Sequence, residues 1–481
     1  MSTEKLACDP ARAAMLFFAP ERIPKWRVGK LGGWRSACAV CLLCAAAAIA
    51  SPAQTFTTLF NFNGLNEIYP ATLIQGADGR LWGTTYGKGP PNCGIVFKLT
   101  RAGGLSKVFT FNCVNGDEAS ALTLGTDGNF YGTAFFGGTH SEGTVFKLKP
   151  GSALTQLASF DGTDGAGPLG NLAQGADGNF YGATYGGGNT YDGTIFQITP
   201  KGILTKLVDF DSVHGSQPYA GPIRGTDGDF YGTTYSGGAY GVGVVYKFTP
   251  KGALSVLHDF GEFSTDGDFP VTSLVQASDG SFYGTTPYGG PDNDGTAFKI
   301  TPNGTFTNLY NFFQSDASPA TALVQATDGN FYGMTSFGGA SGKGTIFKMT
   351  AAGTVTTLHS FDGTDGSAPV TLMQATDGAI YGLTSLGGAS NEGTVFRLSV
   401  GLRPFVEMLP TMGRVGTRVT ILGTNLTGAT SVSFNGTAAK FTVVSSSEIT
   451  TTVPTGATTG KVKVAIPKRT LSSNVRFRVT K

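Results

Sequence analysis

The stretch TDGNFYGTAFFGG, from Thr126 to Gly138, returns six more times with small changes, from ADGRLWGTTYGKG at Ala77 to TDGAIYGLTSLGG at Thr376. The Asp of each Asp-Gly pair stands at 78, 127, 177, 227, 279, 328 and 377, so the spacing stays between 49 and 52 residues. A period near 50 signals a repeat architecture, and blades of a β-propeller have about this length. Each unit holds four strand-like runs; in the third they are 169–174, 179–184, 194–199 and 203–210. Ala-Asp-Gly-Asn, a longer Gly-rich loop and Thr-Pro-Lys-Gly join them. Asp-Gly between two strands predicts a two-residue hairpin turn whose central positions both tolerate positive φ. Pro-Lys-Gly suits the other hairpin, with Pro fixing φ and Gly closing the turn. The Asp-Gly pairs are therefore expected to turn corners rather than to hold a metal.

The two ends of the array predict its topology. The run TFTTLFNF at 55–62 matches the fourth strand of a unit, whereas the seventh unit stops after its third strand, GTVFRLSV at 393–400. Seven complete blades exist only if the N-terminal strand completes the last one, which removes the exposed sheet edge of an open array. The expected fold is all-β, a seven-bladed β-propeller over 54–400 closed by its N-terminal strand. With 72 glycines and only 14% charged residues, the composition fits many short strands joined by tight turns.

Residues 1–53 read as a signal peptide. Lys25, Arg27, Lys30 and Arg35 precede an apolar run from Ala37 to Ala50 that is short for a membrane span, and small residues offer cleavage after Ala50 or Ala53. The mature chain is expected to be secreted or held at the cell surface, with no transmembrane segment. Four of the six cysteines fall in this leader, leaving Cys93 and Cys113. Two cysteines cannot make a four-ligand metal site by themselves. In an oxidising compartment they are expected to pair as a disulfide across the open end of the first blade's outer hairpin.

The repeated unit, with its D-G-N-F-Y-G-T-T, paired glycines and G-T-V/I-F-K-L-T-P-x-G, resembles the GloVer tandem repeat of exported bacterial proteins. The resemblance covers roughly Thr55 to Val400. It implies a secreted or surface-anchored propeller-like protein and offers no catalytic residues to carry over. After Val400 the pattern changes. Pro410, Gly413 and Gly416, the Val419–Asn425 run, Phe434-Asn435-Gly436, Ile449 to Pro454 and Gly460-Lys461-Val462 resemble an IPT/TIG domain. That resemblance implies an immunoglobulin-like β-sandwich over 401–481.

Net charge is +2 for the whole chain, but it divides unevenly. Residues 54–402 hold 16 basic and 27 acidic residues, and residues 403–481 hold 11 and 2. An acidic body joined to a strongly basic module suggests two partners or one intramolecular contact. An anionic surface polymer is the candidate partner of the basic module, the alternative being a solvated strand face that keeps the domain soluble, and export argues against nucleic acid.

The loops between second and third strands carry a large residue beside paired glycines. Tyr86, Phe136, Tyr185, Tyr235, Tyr288 and Phe337 are the candidate ligand-binding residues, because aromatic faces on a rim can stack on sugar rings. The alternative is that they pack between blades. Acidic blade-to-blade loops at 161–165, 264–268 and 362–366 open onto the same end, but their D-x-x-D-G spacing misses the calcium-loop pattern. His258 and His359 occupy equivalent fourth-strand positions and read as structural. A basic residue recurs in the third strand (Lys98, Lys147, Lys247, Lys299, Lys348 and Arg397), read as a packed stem with its head in water. No catalytic, metal or cofactor constellation is recognised. The expected function is a non-catalytic, exported binding or adhesion protein whose propeller face meets a polysaccharide or a surface protein. The alternative is a propeller glycoside hydrolase or polysaccharide lyase using acidic top-loop residues.

Overall fold

The second repeat shows how the local sequence becomes structure in the computed structural model, which describes residues 54–64, 68–87, 93–313, 316, 318–319 and 321–480. Its four strands are Asp117–Leu124, Phe130–Phe136, Thr144–Leu148 and Leu154–Ser159, paired in that order and antiparallel. The two middle strands are rich in aromatic and β-branched residues and are buried along most of their length, while the outer strand keeps one face half exposed. Gly132 interrupts this run for a steric reason. A Cβ there would lie 2.4 Å from the Phe146 ring, so the glycine lets that ring cross the strand.

The Asp-Gly hairpin departs from expectation. The Gly125 carbonyl accepts the Gly128 N–H at 2.9 Å, and the Gly125 N–H donates to the Asn129 carbonyl at 2.8 Å. This closes a three-residue loop with a glycine bulge, in which only Gly128 has a positive φ, of 78°. A primed two-residue turn would have twisted the aspartate into the left-handed region. Instead Asp127 keeps an ordinary backbone and its carboxylate is aimed inward.

Among the described residues, seven sheets of this kind follow one another along the chain. Their cores are shared between neighbours. Tyr131, Val145 and Phe160 of the second repeat pack with Leu172, Phe180 and Phe196 of the third, and the same mixing recurs from one repeat to the next. The last such cluster joins Phe62, Leu81 and Phe97 to Ala375, Tyr381 and Val395, so the seventh repeat packs on the first. The closing sheet is ordered Thr55–Asn61, Thr394–Ser399, Ile380–Leu386, Ser367–Gln374, with Thr55 opposite Ser399 and Asn61 opposite Thr394. The chain thus completes its last sheet with its first strand, as the strand count predicts.

Crowding on the inner side breaks one strand. The third sheet's inner strand is split into Ala166–Pro168 and Ala173–Gln174, where the sequence predicts a continuous run over 169–174. Gly170 and Gly221 lie back to back, and a Cβ on Gly170 would come 1.6 Å from the Gly221 nitrogen. Backbones this close leave no room for a pleated strand with side chains. In the first repeat Cys93 and Cys113 are bonded, with Cα atoms 5.2 Å apart. A closed loop of this size stabilises by about 3 kcal/mol in the chain-entropy account. The leader and residues 89–92 lie outside the described residues.

The chain beyond residue 404 forms two further sheets around one apolar core that includes Val406, Val419, Ile421, Phe434, Ile449, Val464 and Phe477. One sheet is ordered Glu407–Leu409, Arg418–Leu422, Glu448–Thr452, Phe441–Val443. The other is ordered Met412–Gly413, Arg469–Val479, Gly460–Ile466, Ser431–Phe434, Thr437–Ala439. This part touches the repeats at their hairpin-turn end. Ser447 donates to the Ala77 carbonyl at 2.7 Å, the Thr424 and Thr376 hydroxyls meet at 3.0 Å, and the Phe405 N–H donates to the Thr376 carbonyl at 3.1 Å.

Deleting residues 55–62 tests the closure. The deletion exposes the edge of Thr394–Ser399 and removes the apolar contacts of Phe56, Leu59, Phe60 and Phe62. At roughly 1.5–3 kcal/mol per buried large side chain, the melting temperature is expected to fall by about 10 °C or more, with aggregation. An unchanged melting temperature would contradict closure by this strand.

Candidate functional site

The two ends of the repeat array differ in what their side chains do. At the hairpin-turn end, each repeat aspartate is fully engaged. Asp127 Oδ1 accepts the Asn129 N–H at 3.1 Å, and Oδ2 accepts the Tyr131 hydroxyl at 2.8 Å and the Lys147 ammonium at 3.1 Å. Tyr181, Tyr231, Tyr283, Tyr332 and Tyr381 repeat the hydroxyl bond at 2.6 to 3.0 Å, and in the first repeat Trp82 Nε1 replaces it at 3.0 Å. Burial pushes the Asp127 carboxyl up, but bonds from Asn129, Tyr131 and Lys147 outweigh it and hold the group below its usual range. Burial, with Asp227 beside it, raises Tyr231 to about 12. The recurring lysine head is therefore not simply in water: Lys147 is ion-paired and lies 5.1 Å from the Tyr131 ring centre. These groups satisfy one another and serve the fold.

The opposite end carries the loops between second and third strands and between sheets. Here the aromatic side chains form a connected arc across the second to fifth repeats. Phe136 meets Phe135 edge-on at 4.6 Å, and Phe135 lies 6.3 Å from Tyr185. Tyr185 meets Tyr219 and Tyr219 meets Tyr235, each at 5.1 Å. Tyr235 then meets Phe269 at 4.9 Å, and Phe269 lies 6.3 Å from Tyr288. Apart from the buried Phe135, these rings are half-buried. Burial raises the hydroxyls of Tyr235 and Tyr288, and Tyr185 and Tyr235 respectively raise them further, so the phenols share one electrostatic environment.

Four of the six sequence-predicted residues, Phe136, Tyr185, Tyr235 and Tyr288, thus belong to one arc. Tyr86 stands in the first repeat, half-buried, its hydroxyl pushed up to about 12 by burial and by the Glu118 carboxylate. Phe337 stands in the sixth, with its side chain exposed. The six do not occupy one equivalent position. Tyr86, Tyr185 and Tyr235 follow the Thr that ends the conserved-length strand core, whereas Phe136, Tyr288 and Phe337 come one residue later, and successive strand residues point to opposite faces. Sequence reasoning missed Tyr219 and Phe269, which bridge neighbouring repeats from the loops between sheets. Their signal was an aromatic next to a proline five residues ahead of the inner strand: Pro218-Tyr219 before Ile223–Arg224 and Phe269-Pro270 before Val275–Gln276. The residue before that proline is held at positive φ repeatedly, as at Tyr69, Gln217, Phe269, Ser318 and Ala368.

Carboxylates border the arc. Asp268 pairs across a short two-stranded ladder with Tyr288, and burial pushes both Asp266 and Asp268 up, Asp268 further because Asp266 is near. The fourth-strand histidines are explained by the same loops. His359 Nε2 lies 2.7 Å from Asp365, His258 Nε2 lies 3.5 Å from Asp266, and in the fifth repeat Tyr310 donates to Asp316 at 3.0 Å. A fourth-strand side chain is thus hydrogen-bonded to a loop aspartate in two repeats, while His258 approaches Asp266 without a hydrogen bond; in each case the histidine is committed to packing beside its loop, which supports the structural reading. Among the described residues the one cluster of metal-ligating types is Cys93, Cys113 and Asp117, and its two sulfurs are already joined.

The Gloeobacter/Verrucomicrobia repeat matches residues 47–224 and 204–396, and the IPT/TIG domain matches residues 405–479. No curated protein matches the chain. Among solved structures, a virginiamycin B lyase from Staphylococcus aureus aligns over 72% of this chain and 99% of its own, with a TM-score of 0.51 and 12% identity. The extracellular domain of a hybrid two component system from B. thetaiotaomicron aligns over 78% of this chain and 46% of its own, with a TM-score of 0.51 and 11% identity. At such identities the likeness concerns fold alone.

The burial of His258 predicts a pH dependence. Burial lowers its imidazole to about 4, against the opposing pull of Asp259 and Glu262. The unfolded chain takes up this proton near pH 6.5, so neutral His258 contributes stability above that pH, and the contribution is lost as pH falls from 6.5 towards 4. His258→Tyr, which copies Tyr310, is expected to make the melting temperature fall less steeply over that window. Equal slopes for both proteins would contradict the assignment.

Proposed function

The chain belongs to the Gloeobacter/Verrucomicrobia repeat family, and from that premise we propose that it is an exported, non-catalytic binding or adhesion protein. In this reading residues 1–53 are a signal peptide, residues 54–400 a seven-bladed β-propeller and residues 401–481 an immunoglobulin-like IPT/TIG sandwich. The disulfide between Cys93 and Cys113 suits an oxidising, extracellular setting. Among the described residues no helix is long and apolar enough to cross a membrane.

The connected arc from Phe136 to Tyr288 is the observation that carries the binding role. It lies at the loop-bearing end, while the hairpin-turn end is committed to aspartate–tyrosine bonds and to contacts with the C-terminal domain. Half-buried aromatics a few ångströms apart offer a large, stiff, amphipathic surface suited to the faces of sugar rings or to a protein partner. Tyr86 and Phe337 would extend that surface onto the flanking repeats.

A second reading, a glycoside hydrolase or polysaccharide lyase, draws on Asp266 and Asp268. Burial favours their protonated forms beside the aromatic arc, as a general acid requires. A glycan array of the purified chain, run beside an assay for released reducing sugar or unsaturated product, separates the two. The double variant Tyr185→Ala/Tyr235→Ala is expected to weaken binding of the best glycan at least tenfold while the melting temperature changes by only a few degrees. Undiminished binding would overturn the assignment of the arc, and product release abolished by Asp268→Asn would favour the enzyme.

A further inference from the structure

The second sheet of the C-terminal domain has one face in the core and one face outward. Val462, Val464, Leu471 and Phe477 point into the core. The alternate positions carry Lys461, Lys463 and Arg476, and the turn between the two long strands adds Lys468 and Arg469. Lys463, Lys468, Arg469 and Arg476 are exposed. No strand of this sheet contains an acidic residue, and the domain's two acids, Glu407 and Glu448, both belong to the opposite sheet. The cations are therefore not neutralised by neighbours on their own face.

One arrangement on this face works against stability. Lys461 stands directly across from Arg476 in the antiparallel ladder, and like charges so placed repel. Burial, with Arg476 beside it, pushes the Lys461 ammonium down. Lys461 donates to the Ser473 carbonyl at 3.0 Å, which fixes its position without cancelling its charge. A cavity of about 490 Å³ opens beside the turn, lined by Asn425, Thr427, Pro467, Lys468 and Arg469 among others. An external anion relieves the repulsion and fills the role that no internal carboxylate plays.

We propose that this face is the docking surface for a linear, carboxylate-bearing polysaccharide. Lys461 and Lys463, alternate residues of one strand, stand about 6.6–6.8 Å apart with Arg476 across from Lys461, and an arginine fork matches a carboxylate in two-point hydrogen bonds. The other outward positions are small or polar, Ala465, Thr470, Ser472 and Asn474, so the surface stays flat enough to follow an extended chain. The domain's phenylalanines Phe434 and Phe477 are buried in its core, which removes the stacking platforms used for single-stranded nucleic acid. Val475 is the one large hydrophobic exposed on the strands of this sheet, too little to embed in a bilayer. The site is separate from the aromatic arc and stands independently of the arc's ligand.

Polygalacturonate serves as the probe. The full chain is expected to be retarded in gels that contain it, with an affinity that falls steeply as salt rises. Lys463→Gln/Arg476→Gln is expected to weaken this binding at least tenfold and to flatten its salt dependence, with the melting temperature the same or slightly higher, because both side chains are exposed and Arg476 repels Lys461. Lys201→Gln/Lys251→Gln, which removes two exposed cations from the repeats instead, is expected to bind polygalacturonate as the unaltered chain does. Undiminished binding by the C-terminal charge variant overturns the proposal, as does an equal loss in the repeat variant. Tighter binding of duplex DNA than of polygalacturonate in the same buffer overturns it as well.

Discussion

The pairing of Thr55–Asn61 with Thr394–Ser399 is the constraint on which the rest of the structure depends. Every other sheet in the array draws its strands from one repeat, and only this one joins the two ends of a segment more than 300 residues long. The junction is reinforced from three directions. Gln75 and Thr376 exchange two bonds at 2.9 Å, Arg101 donates to Gln75 at 2.8 Å and lies 3.5 Å from Asp377, and its guanidinium rests 4.9 Å from the Tyr381 ring centre. Other repeats use the same glutamine link, as in Gln174 to Thr126 and Gln325 to Ser278, but Arg101 is an addition at the seam. Closure of this kind lets a chain of short strands behave as one folded unit, because Thr394–Ser399 is covered by a fourth strand as its equivalents in the other repeats are.

A division of labour between the two ends follows. At the hairpin-turn end, aspartate, tyrosine, lysine and glutamine are bonded to one another in nearly every repeat, and the C-terminal domain rests on the turns of the first and seventh. Substitution there breaks a charge-assisted bond worth roughly 1.5–3 kcal/mol. At the loop end, the glycine pairs and the residues before the inner-strand prolines hold a backbone on which side chains differ from repeat to repeat: tyrosine, phenylalanine, serine or leucine. The fold is fixed at one end, which frees the other to vary. The C-terminal domain adds charge of the opposite sign to the acidic repeats, so the molecule presents two chemically distinct surfaces.

Much of this was legible in the sequence because its period is long and regular. Four strands per repeat, the borrowed N-terminal strand and the pairing of Cys93 with Cys113 all follow from spacing and from a count of copies. What escaped was set by geometry that spacing does not encode. Asp-Gly suggested a two-residue primed turn, but the carboxylate's bond to a tyrosine four residues on favours an ordinary backbone at Asp127 and a bulge at Gly128. The recurring lysine looked solvated because its partner lies 20 residues away, across two strands. Tyr219 and Phe269 escaped because they sit outside the repeated stretch, and the close approach of Gly170 to Gly221 depends on two different repeats meeting near the ring's inner side. Four candidate rim residues were placed together, but their bridging partners were not visible from sequence.

The central claim is that the seventh sheet is closed by the first strand as firmly as any other sheet is closed by its own. Amide hydrogen exchange of the intact chain, read peptide by peptide, measures this directly. The account predicts that amides of Thr394–Ser399 are protected to the same degree as those of Thr144–Leu148, Thr194–Ile198 and Thr345–Met349, the equivalent strands of other repeats. Exchange of Thr394–Ser399 at the rate of an unpaired edge, while those three strands remain protected, would contradict it.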